Sequence, residues 1–350
     1  MTCARQLPLL LSGKKNFNCN GPEFITSIPK ISVLMPVHNG EAYLRPAVES
    51  ILGQSFSDFE FIIIDDGSVD RSRKLLVDYQ ASDPRIRLIL RDTRMGIASG
   101  LNRAIGSARA SVLARFDCDD VALPHRLQTQ FDWLARDADL SAIGSWALLI
   151  GADGKRNWRV KRQPVGKERV RRLLPLHNCL LHPATMFHKS AVEKAGMYDE
   201  RFLWSQDYDL WLRMLPHGSL DNIPEPLLEL RRHPDQVSEP SKRRNSTLFS
   251  VAAAVNYICR KYREPELTEE SYGAGEGFVR KFEALFDLPL SSVDKNHLVR
   301  HLIRLRRYTF FEGPVADQLS ASIGPNANHF ARAKMQLYDL LKKASKEPTS

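Results

Sequence analysis

The segment Val112-Leu113-Ala114-Arg115-Phe116-Asp117-Cys118-Asp119-Asp120 places three carboxylates directly after an apolar run. The run predicts a buried strand, so Asp117, Asp119 and Asp120 crowd its carboxyl end. Two unit charges about 4 Å apart repel by roughly 4 kcal/mol at an effective dielectric near 20, so a divalent cation is the simplest way to keep all three ionised. Oxygen ligands favour Mg²⁺ or Mn²⁺, which keep positions open for substrate phosphates. The alternative is an acidic turn that caps the next helix.

Strands and helices alternate outward from this segment. Apolar runs predict strands at 31–35, 59–64, 86–90 and 112–116, and helical spacing of apolar residues follows each run. This alternation predicts an α/β fold, in which a Rossmann-like, mostly parallel sheet carries helices on both faces.

Polar residues follow three of these predicted strands. His38 and Asn39 come after the first strand, Asp65 and Asp66 after the second, and the three carboxylates after the strand at 112–116. Ligands of open α/β sheets bind beyond the carboxyl ends of the strands. The sequence therefore predicts that these strand ends form one pocket.

The second half of the chain is less regular. Lys and Arg are concentrated at 151–172, where a solvated basic face and an interaction loop are both reasonable interpretations. A short strand is predicted at 184–187, and apolar residues with helical spacing at 208–215 place Asp207 at a helix N-terminus. The predicted regions are a loose leader at 1–29, an α/β domain at 30–238 and a helical C-terminal region at 239–350.

Composition restricts the functional class. The 350 residues are 43% hydrophobic and 26% charged, as in soluble globular proteins, which argues against a disordered or fibrous chain. The net charge of +9 suits phosphate-bearing substrates, nucleic acid or an anionic membrane. The five cysteines are scattered, and no run approaches the roughly 18 apolar residues of a membrane span. We expect a cytoplasmic protein, with contact at the inner face of the membrane as a further option.

Several motifs occur in an order typical of one enzyme family. They include Met35-Pro36-Val37-His38-Asn39-Gly40, Ile64-Asp65-Asp66-Gly67-Ser68, and the segment that ends at Asp120. Gln206-Asp207-Tyr208-Asp209 and Arg231-Arg232-His233 continue the series. Together they resemble family 2 glycosyltransferases of the GT-A fold, over roughly residues 30–238. The resemblance implies a mixed, mostly parallel sheet flanked by helices, with the helical C-terminal region as an appendage.

The resemblance also implies an inverting transfer from a nucleotide-sugar donor, most often a UDP-sugar, to a glycan or lipid-linked acceptor. It implies that Asp207 is the general base and that Mg²⁺ or Mn²⁺ is the cofactor. The implied metal ligands are Asp119 and Asp120, and we add His233 as a candidate because neutral imidazole is a competent ligand. The donor-binding residues that it implies are Pro36, Val37, His38, Asn39, Asp66, Gly96, Asp117 and Asp119.

Some residues leave other interpretations open. Asp207 would also serve as an N-cap of its helix, and His182 is a second histidine that could reach the diphosphate or the metal. Relatives often carry Glu and Tyr where this chain has Gln206 and His38.

Two other functions compete with the glycosyltransferase. A sugar nucleotidyltransferase shares this type of fold, but residues 36–43 lack the Arg and Lys of its usual loop. A non-catalytic basic protein that binds membrane or nucleic acid is the third class. Since the chain has no Walker A loop, no Gly-x-Gly-x-x-Gly and no aromatic-interleaved basic stripe, we expect no nucleic-acid partner.

Overall fold

The computed structural model describes residues 28–234, 236, 243–268, 281 and 284–305. Nearly all of the leader predicted at 1–29 and much of the predicted C-terminal region, including all of 306–350, lie outside these residues. Four parallel strands form half of a nine-stranded sheet, in the order β3-β2-β1-β4. They are β1 (Ile31–Val37), β2 (Phe59–Asp66), β3 (Ile86–Arg91) and β4 (Val112–Arg115). All four strands were predicted from their apolar runs, and the structure confirms them.

The other half of the sheet is mixed. Its strands are β5 (Val121–Ala122), β6 (Leu140–Ile150), β7 (Arg156–Lys161), β8 (Met186–His188) and β9 (Ser219–Arg231). Strand β8 lies antiparallel between β4 and β6, whereas β9 runs parallel to β6 and antiparallel to β5. Of these strands, the sequence pattern predicted only β8. Strand β9 escaped prediction because Pro224 and Pro226 interrupt it, at the place where its register with β6 shifts.

Helices cover both faces of the sheet, as predicted. They are α1 (Glu41–Leu52), α2 (Ser72–Ser82), α3 (Ile97–Ser107), α4 (Arg126–Arg136), α5 (Lys167–Leu173), α6 (Lys189–Lys194), α7 (Gln206–Met214), α8 (Arg243–Tyr262) and α9 (Ser292–Leu305). Among the residues described, no helix is long and apolar enough to cross a membrane.

Alternation along β1 divides the interior into two cores. Val33 and Met35 pack with residues of α1, α2 and α4, whereas Leu34 packs on the opposite face with α3, α7 and α8. Trp211 of α7 is completely buried in this second core, together with Val255 of α8. The C-terminal helix α8 therefore shares a core with the sheet.

Glu60 is a buried carboxylate that connects the parallel strands. Its oxygens accept hydrogen bonds from Ser32 Oγ at 2.6 Å, from Arg87 at 2.6 Å, and from the backbone and side chain of Arg109 at 2.7 and 3.0 Å. Burial raises the pKa of Glu60, but these hydrogen bonds outweigh burial and hold the pKa below its usual value. The ionised form is therefore the one that the fold stabilises.

Glu60→Gln is expected to lower the free energy of unfolding at pH 7 by about 1–3 kcal/mol, because it leaves buried donors without a charged acceptor. Since folding lowers the pKa of Glu60, its contribution is complete above the usual value of 4.5 and disappears as the pH falls through the lowered value. Urea unfolding from pH 7 downward should show wild type and variant converging in acid. Equal stability of the two at pH 7 would contradict this role, and Glu225→Gln at an exposed position is the control.

Candidate active site

The acidic turn between β4 and β5 is the chemical centre of the site. Asp117, Asp119 and Asp120 each offer a carboxylate oxygen, and these three atoms lie within 4.8 Å of one another. Arg115, at the end of β4, forms an ion pair with Asp117. The predicted crowding of carboxylates at this strand end is therefore confirmed.

The end of β9 fixes this turn from the opposite side. The backbone N–H of Arg231 donates to Asp120 Oδ1 at 2.9 Å, and its Nε donates to the carbonyl of Asp119 at 2.7 Å. His233 Nε2 lies 2.9 Å from Asp119 Oδ2. The ring of Tyr43 lies 4.8 Å from His233 and carries the Arg231 guanidinium 4.8 Å above it. These contacts place the predicted ligands Asp119, Asp120 and His233 in one cluster.

Asp120 has a carboxylate oxygen that is free within the described ranges and a buried environment, as expected of a residue that binds a cation. Its side chain is buried, and Oδ2 has no hydrogen-bond partner among the described residues. Burial and the charges of Asp119 and Asp117 raise the pKa of Asp120 well above its usual value. A hard cation would compensate the charge and occupy the unpartnered oxygen, so the residues present fit Mg²⁺ or Mn²⁺.

Two loops adjoin the turn at the ends of β1 and β2. His38 Nδ1 donates to the carbonyl of Asp66 at 2.9 Å, and Asn39 Oδ1 accepts from the backbone of Val69 at 2.9 Å. Gly40 lies against Cys118, where an added Cβ would be 3.1 Å from Sγ. The three strand ends therefore lie side by side, as the sheet order requires.

Asp66 organises the loop before α3. Its Oδ2 accepts from the N–H of Gly96 at 2.8 Å, and its Oδ1 accepts from Met95 N at 3.0 Å and from Arg91 at 3.3 Å. Gly96 has φ +94°, a conformation that favours glycine. Because a carboxylate has about four acceptor sites, Asp66 keeps capacity for a ligand donor.

Pro36 and Val37 differ in what they offer a ligand. Pro36 is partly exposed at the end of β1, whereas the side chain of Val37 is buried in the core with α1. Only the backbone of Val37 is therefore available to the pocket.

Asp207 lies in the first turn of α7. The N-cap of this helix is Ser205, with φ 57°, so the alternative interpretation of Asp207 as the cap is wrong. Asn178 Nδ2 donates to Asp207 Oδ2 at 2.6 Å. Burial raises the pKa of Asp207, although the hydrogen bonds from Asn178 and the Tyr208 N–H and the charge of Arg115 oppose the shift. A carboxylate with a raised pKa and a fixed orientation suits a general base.

Comparisons with known proteins agree with this arrangement. Residues 32–196 match the model of a family described as glycosyl transferase family 2. Over 207 residues the chain is 37% identical to the O-antigen biosynthesis glycosyltransferase WbnJ of Escherichia coli, covering 58% of this chain and 80% of that protein. This chain belongs to glycosyltransferase family 2.

One further relative and one solved structure are less similar in sequence. The amylovoran biosynthesis glycosyltransferase AmsE of Erwinia amylovora is 28% identical over 211 residues, 59% of this chain and 78% of that protein. The crystal structure of S. aureus TarS 1-349 in complex with UDP-GlcNAc matches with a TM-score of 0.57 and 15% identity, covering 91% of each chain. This structural likeness shows the GT-A fold, with its mixed sheet and flanking helices. The chain is a glycosyltransferase, which replaces the nucleotidyltransferase and the non-catalytic alternatives.

His182 of this glycosyltransferase lies outside the acidic cluster. Its Nε2 is 2.7 Å from the hydroxyl of Tyr198, and its ring packs 6.0 Å from that of Trp211. Burial lowers the pKa of His182 well below its usual value, so the ring stays neutral. The acidic cluster of the described residues does not include His182, and its contact with a diphosphate stays a prediction.

Sequence reasoning missed the partners of the two acidic groups. Asn178 contacts Asp207, Tyr43 covers His233, and Lys161 is close enough to Asp207 and Asp120 to interact electrostatically. The one local signal was Arg115, a charged residue inside an apolar strand run. Asn178 and Tyr43 gave no such signal, and Lys161 was visible only as one member of the basic run at 151–172.

Proposed function

We propose that this glycosyltransferase moves a sugar, with inversion at the anomeric carbon, from a UDP-sugar to a hydroxyl of a glycan or lipid-linked acceptor in cell-surface polysaccharide synthesis. One observation carries the proposal. Asp120 has a buried oxygen without a hydrogen-bond partner in the described part of the chain, and it lies in a cluster of three carboxylates. Asp117 of this cluster interacts electrostatically with Asp207. Cation-binding and proton-accepting groups therefore occur in one site.

Asp119 and Asp120 are the residues that would hold Mg²⁺ or Mn²⁺, with His233 beside Asp119 as a third candidate. A cation bound there neutralises charge on the leaving diphosphate, which is worth several kcal/mol in the transition state. The residues proposed to bind the donor are Pro36, Val37, His38, Asn39, Asp66, Gly96, Asp117 and Asp119. An imide N–H of the base would donate to Asp66, because a carboxylate gives a charge-assisted hydrogen bond.

Asp207 is the proposed general base. It accepts the proton of the acceptor hydroxyl while the acceptor oxygen forms its bond to the anomeric carbon. The bond from that carbon to the diphosphate oxygen breaks, and the nucleoside diphosphate leaves with the electron pair. Asn178 donates to one carboxylate oxygen of Asp207, which fixes the orientation in which the carboxylate would take the proton.

The names of relatives support the acceptor class and the donor. WbnJ is named for O-antigen biosynthesis and AmsE for amylovoran biosynthesis, and TarS was crystallised with UDP-GlcNAc. Peripheral contact with an anionic membrane stays a prediction from the net charge.

A thermal-shift experiment with nucleoside diphosphates tests the proposal. UDP with Mn²⁺ is expected to stabilise the protein by about 2.7 kcal/mol at a hundredfold excess over its dissociation constant, and UDP alone by much less. GDP and ADP with Mn²⁺ serve as competitors for the nucleotide assignment. Equal stabilisation by UDP with and without Mn²⁺ would contradict metal-assisted donor binding, and absence of any response to all three nucleotides would contradict the donor class.

A further inference from the structure

An open groove of about 590 Å³ lies beside the β6–β7 hairpin and α5. Trp146 of β6 lines the groove, and its indole N–H donates to the carbonyl of Gln163 at 3.0 Å. The guanidinium of Arg162 lies 5.4 Å from the centre of the Trp146 ring. Arg169 and His177 follow along the α5 side. The groove therefore combines a fixed aromatic ring with two arginines.

The positive charge at this groove is not compensated. Among the residues that the structure describes, no Asp or Glu lines the groove, and the side chains of Arg162 and Arg169 have no ion pair or hydrogen bond. Lys161, next to Arg162, instead interacts electrostatically with Asp207 and Asp120. In contrast, Lys167 on the same helix as Arg169 pairs with Asp137 and Asp139 at 2.8 and 3.2 Å. Cations that stay unpaired near a concave surface are available to an anionic ligand.

The groove is connected to the proposed general base through neighbouring residues of the chain. His177, which lines it, is followed by Asn178, the residue that donates to Asp207 Oδ2 at 2.6 Å. The hydroxyl of Tyr208, directly after Asp207, donates to the carbonyl of Leu174 at 2.7 Å. These two contacts fasten the α5 side of the groove to the start of α7. The groove is therefore connected to the helix that carries Asp207.

We propose that this groove binds a phosphate or diphosphate group carried by the acceptor, with Arg162 and Arg169 as the residues that contact it. Guanidinium groups form bidentate hydrogen bonds with phosphate oxygens, which suits this ligand class better than a neutral glycan. The inference rests on the proposed function, since it assigns the groove to the substrate whose hydroxyl Asp207 activates. The sequence allowed two interpretations of the basic run at 151–172, a solvated face and an interaction loop. The inference favours the interaction loop.

Isothermal titration with octyl diphosphate, in the presence of saturating UDP and Mn²⁺, tests the assignment without requiring turnover. UDP occupies the donor site, so the probe reports on a second site. Arg162→Gln and Arg169→Gln are each expected to weaken binding about ten-fold, as the loss of a charge-assisted hydrogen bond predicts. Arg172→Gln is the matched control, because Arg172 is exposed on the same helix but does not line the groove.

Two further ligands identify the source of the anionic group. Octyl glucoside tests whether charge matters, and methyl glucoside 6-phosphate represents a phosphate carried by the glycan itself. Tighter binding of octyl diphosphate than of the sugar phosphate indicates a lipid-linked acceptor, and the reverse order indicates a phosphorylated glycan. Either order supports the groove if Arg162→Gln weakens it.

Equal affinities of wild type, Arg162→Gln and Arg172→Gln for octyl diphosphate would overturn the inference. An affinity for octyl glucoside equal to that for octyl diphosphate would overturn it too. Failure of UDP to bind would instead contradict the proposed function. In that case the same titration without UDP still compares the arginine variants, so the two failures are distinguishable.

Discussion

Asp207→Asn is expected to reduce the rate of sugar transfer by about 10²–10⁴-fold, because an amide cannot accept the proton of the acceptor hydroxyl. The substitution preserves shape, and Ser205 is the N-cap of α7, so the helix should remain intact. Donor binding should be unchanged, since Asp207 is assigned to the acceptor side. The measurement is release of nucleoside diphosphate, with nucleotide affinity determined separately by titration.

The pH dependence of transfer gives a second test of the same residue. Burial raises the pKa of Asp207, and only its ionised form can act as the base. The kcat/KM of the wild type is therefore expected to fall in acid, as the pH drops through this raised pKa, and Asp207→Asn should lack that acid limb. Undiminished turnover in the variant would remove Asp207 as the base. Asp78→Asn, at an exposed position on α2, is the control.

Asp120→Asn should reduce transfer by about 10²–10³-fold, as the loss of several kcal/mol of charge stabilisation predicts. The variant should also bind UDP more weakly than the wild type when Mn²⁺ is present, whereas without Mn²⁺ the two should bind UDP equally. Removing one of three mutually repelling charges also leaves the metal-free protein at least as stable as wild type, which thermal unfolding can verify.

Reduced metal response without unfolding separates a ligand role from a structural one. Asp78→Asn removes a carboxylate of the same charge far from the acidic turn in sequence, so it should keep the full response to Mn²⁺. Asp120→Asn with an unchanged Mn²⁺ response would show that the cluster binds no cation through this residue.

Local patterns were sufficient for the parallel half of the fold and for its acidic turn. The runs at β1, β2 and β4 are apolar because these strands are buried on both faces, and a buried strand is visible in the sequence. The edge strand β3 is only partly buried but keeps an apolar run. The position of the carboxylates followed from the rule that ligands bind at strand ends. Both the strands and the acidic turn could be predicted from residues that are close together in the sequence.

The remaining parts of the site depend on pairs that are distant in the chain. Arg231 contacts Asp120 across 111 positions, and Tyr43 reaches His233 from α1. Strand β9 delivers Arg231, but Pro224 and Pro226 hide this strand from any periodicity search. Asn178 has no motif around it, because its role comes from packing beside α7. Such contacts arise only when the sheet has formed.

The hydrogen bonds that the backbone N–H groups of Gly96 and Met95 donate to Asp66 affect how the enzyme can be adapted to new sugar donors. These bonds hold the loop before α3 in one conformation in the absence of nucleotide. The entropy lost on ordering this loop is therefore part of the folding free energy and does not weaken nucleotide binding. An engineer who wants another sugar should leave this loop and its glycine alone. Randomised libraries are better directed at other positions. Changes at Asp66 or Gly96 would disorder the loop, and the entropy lost when it orders on binding would then weaken the affinity for every donor.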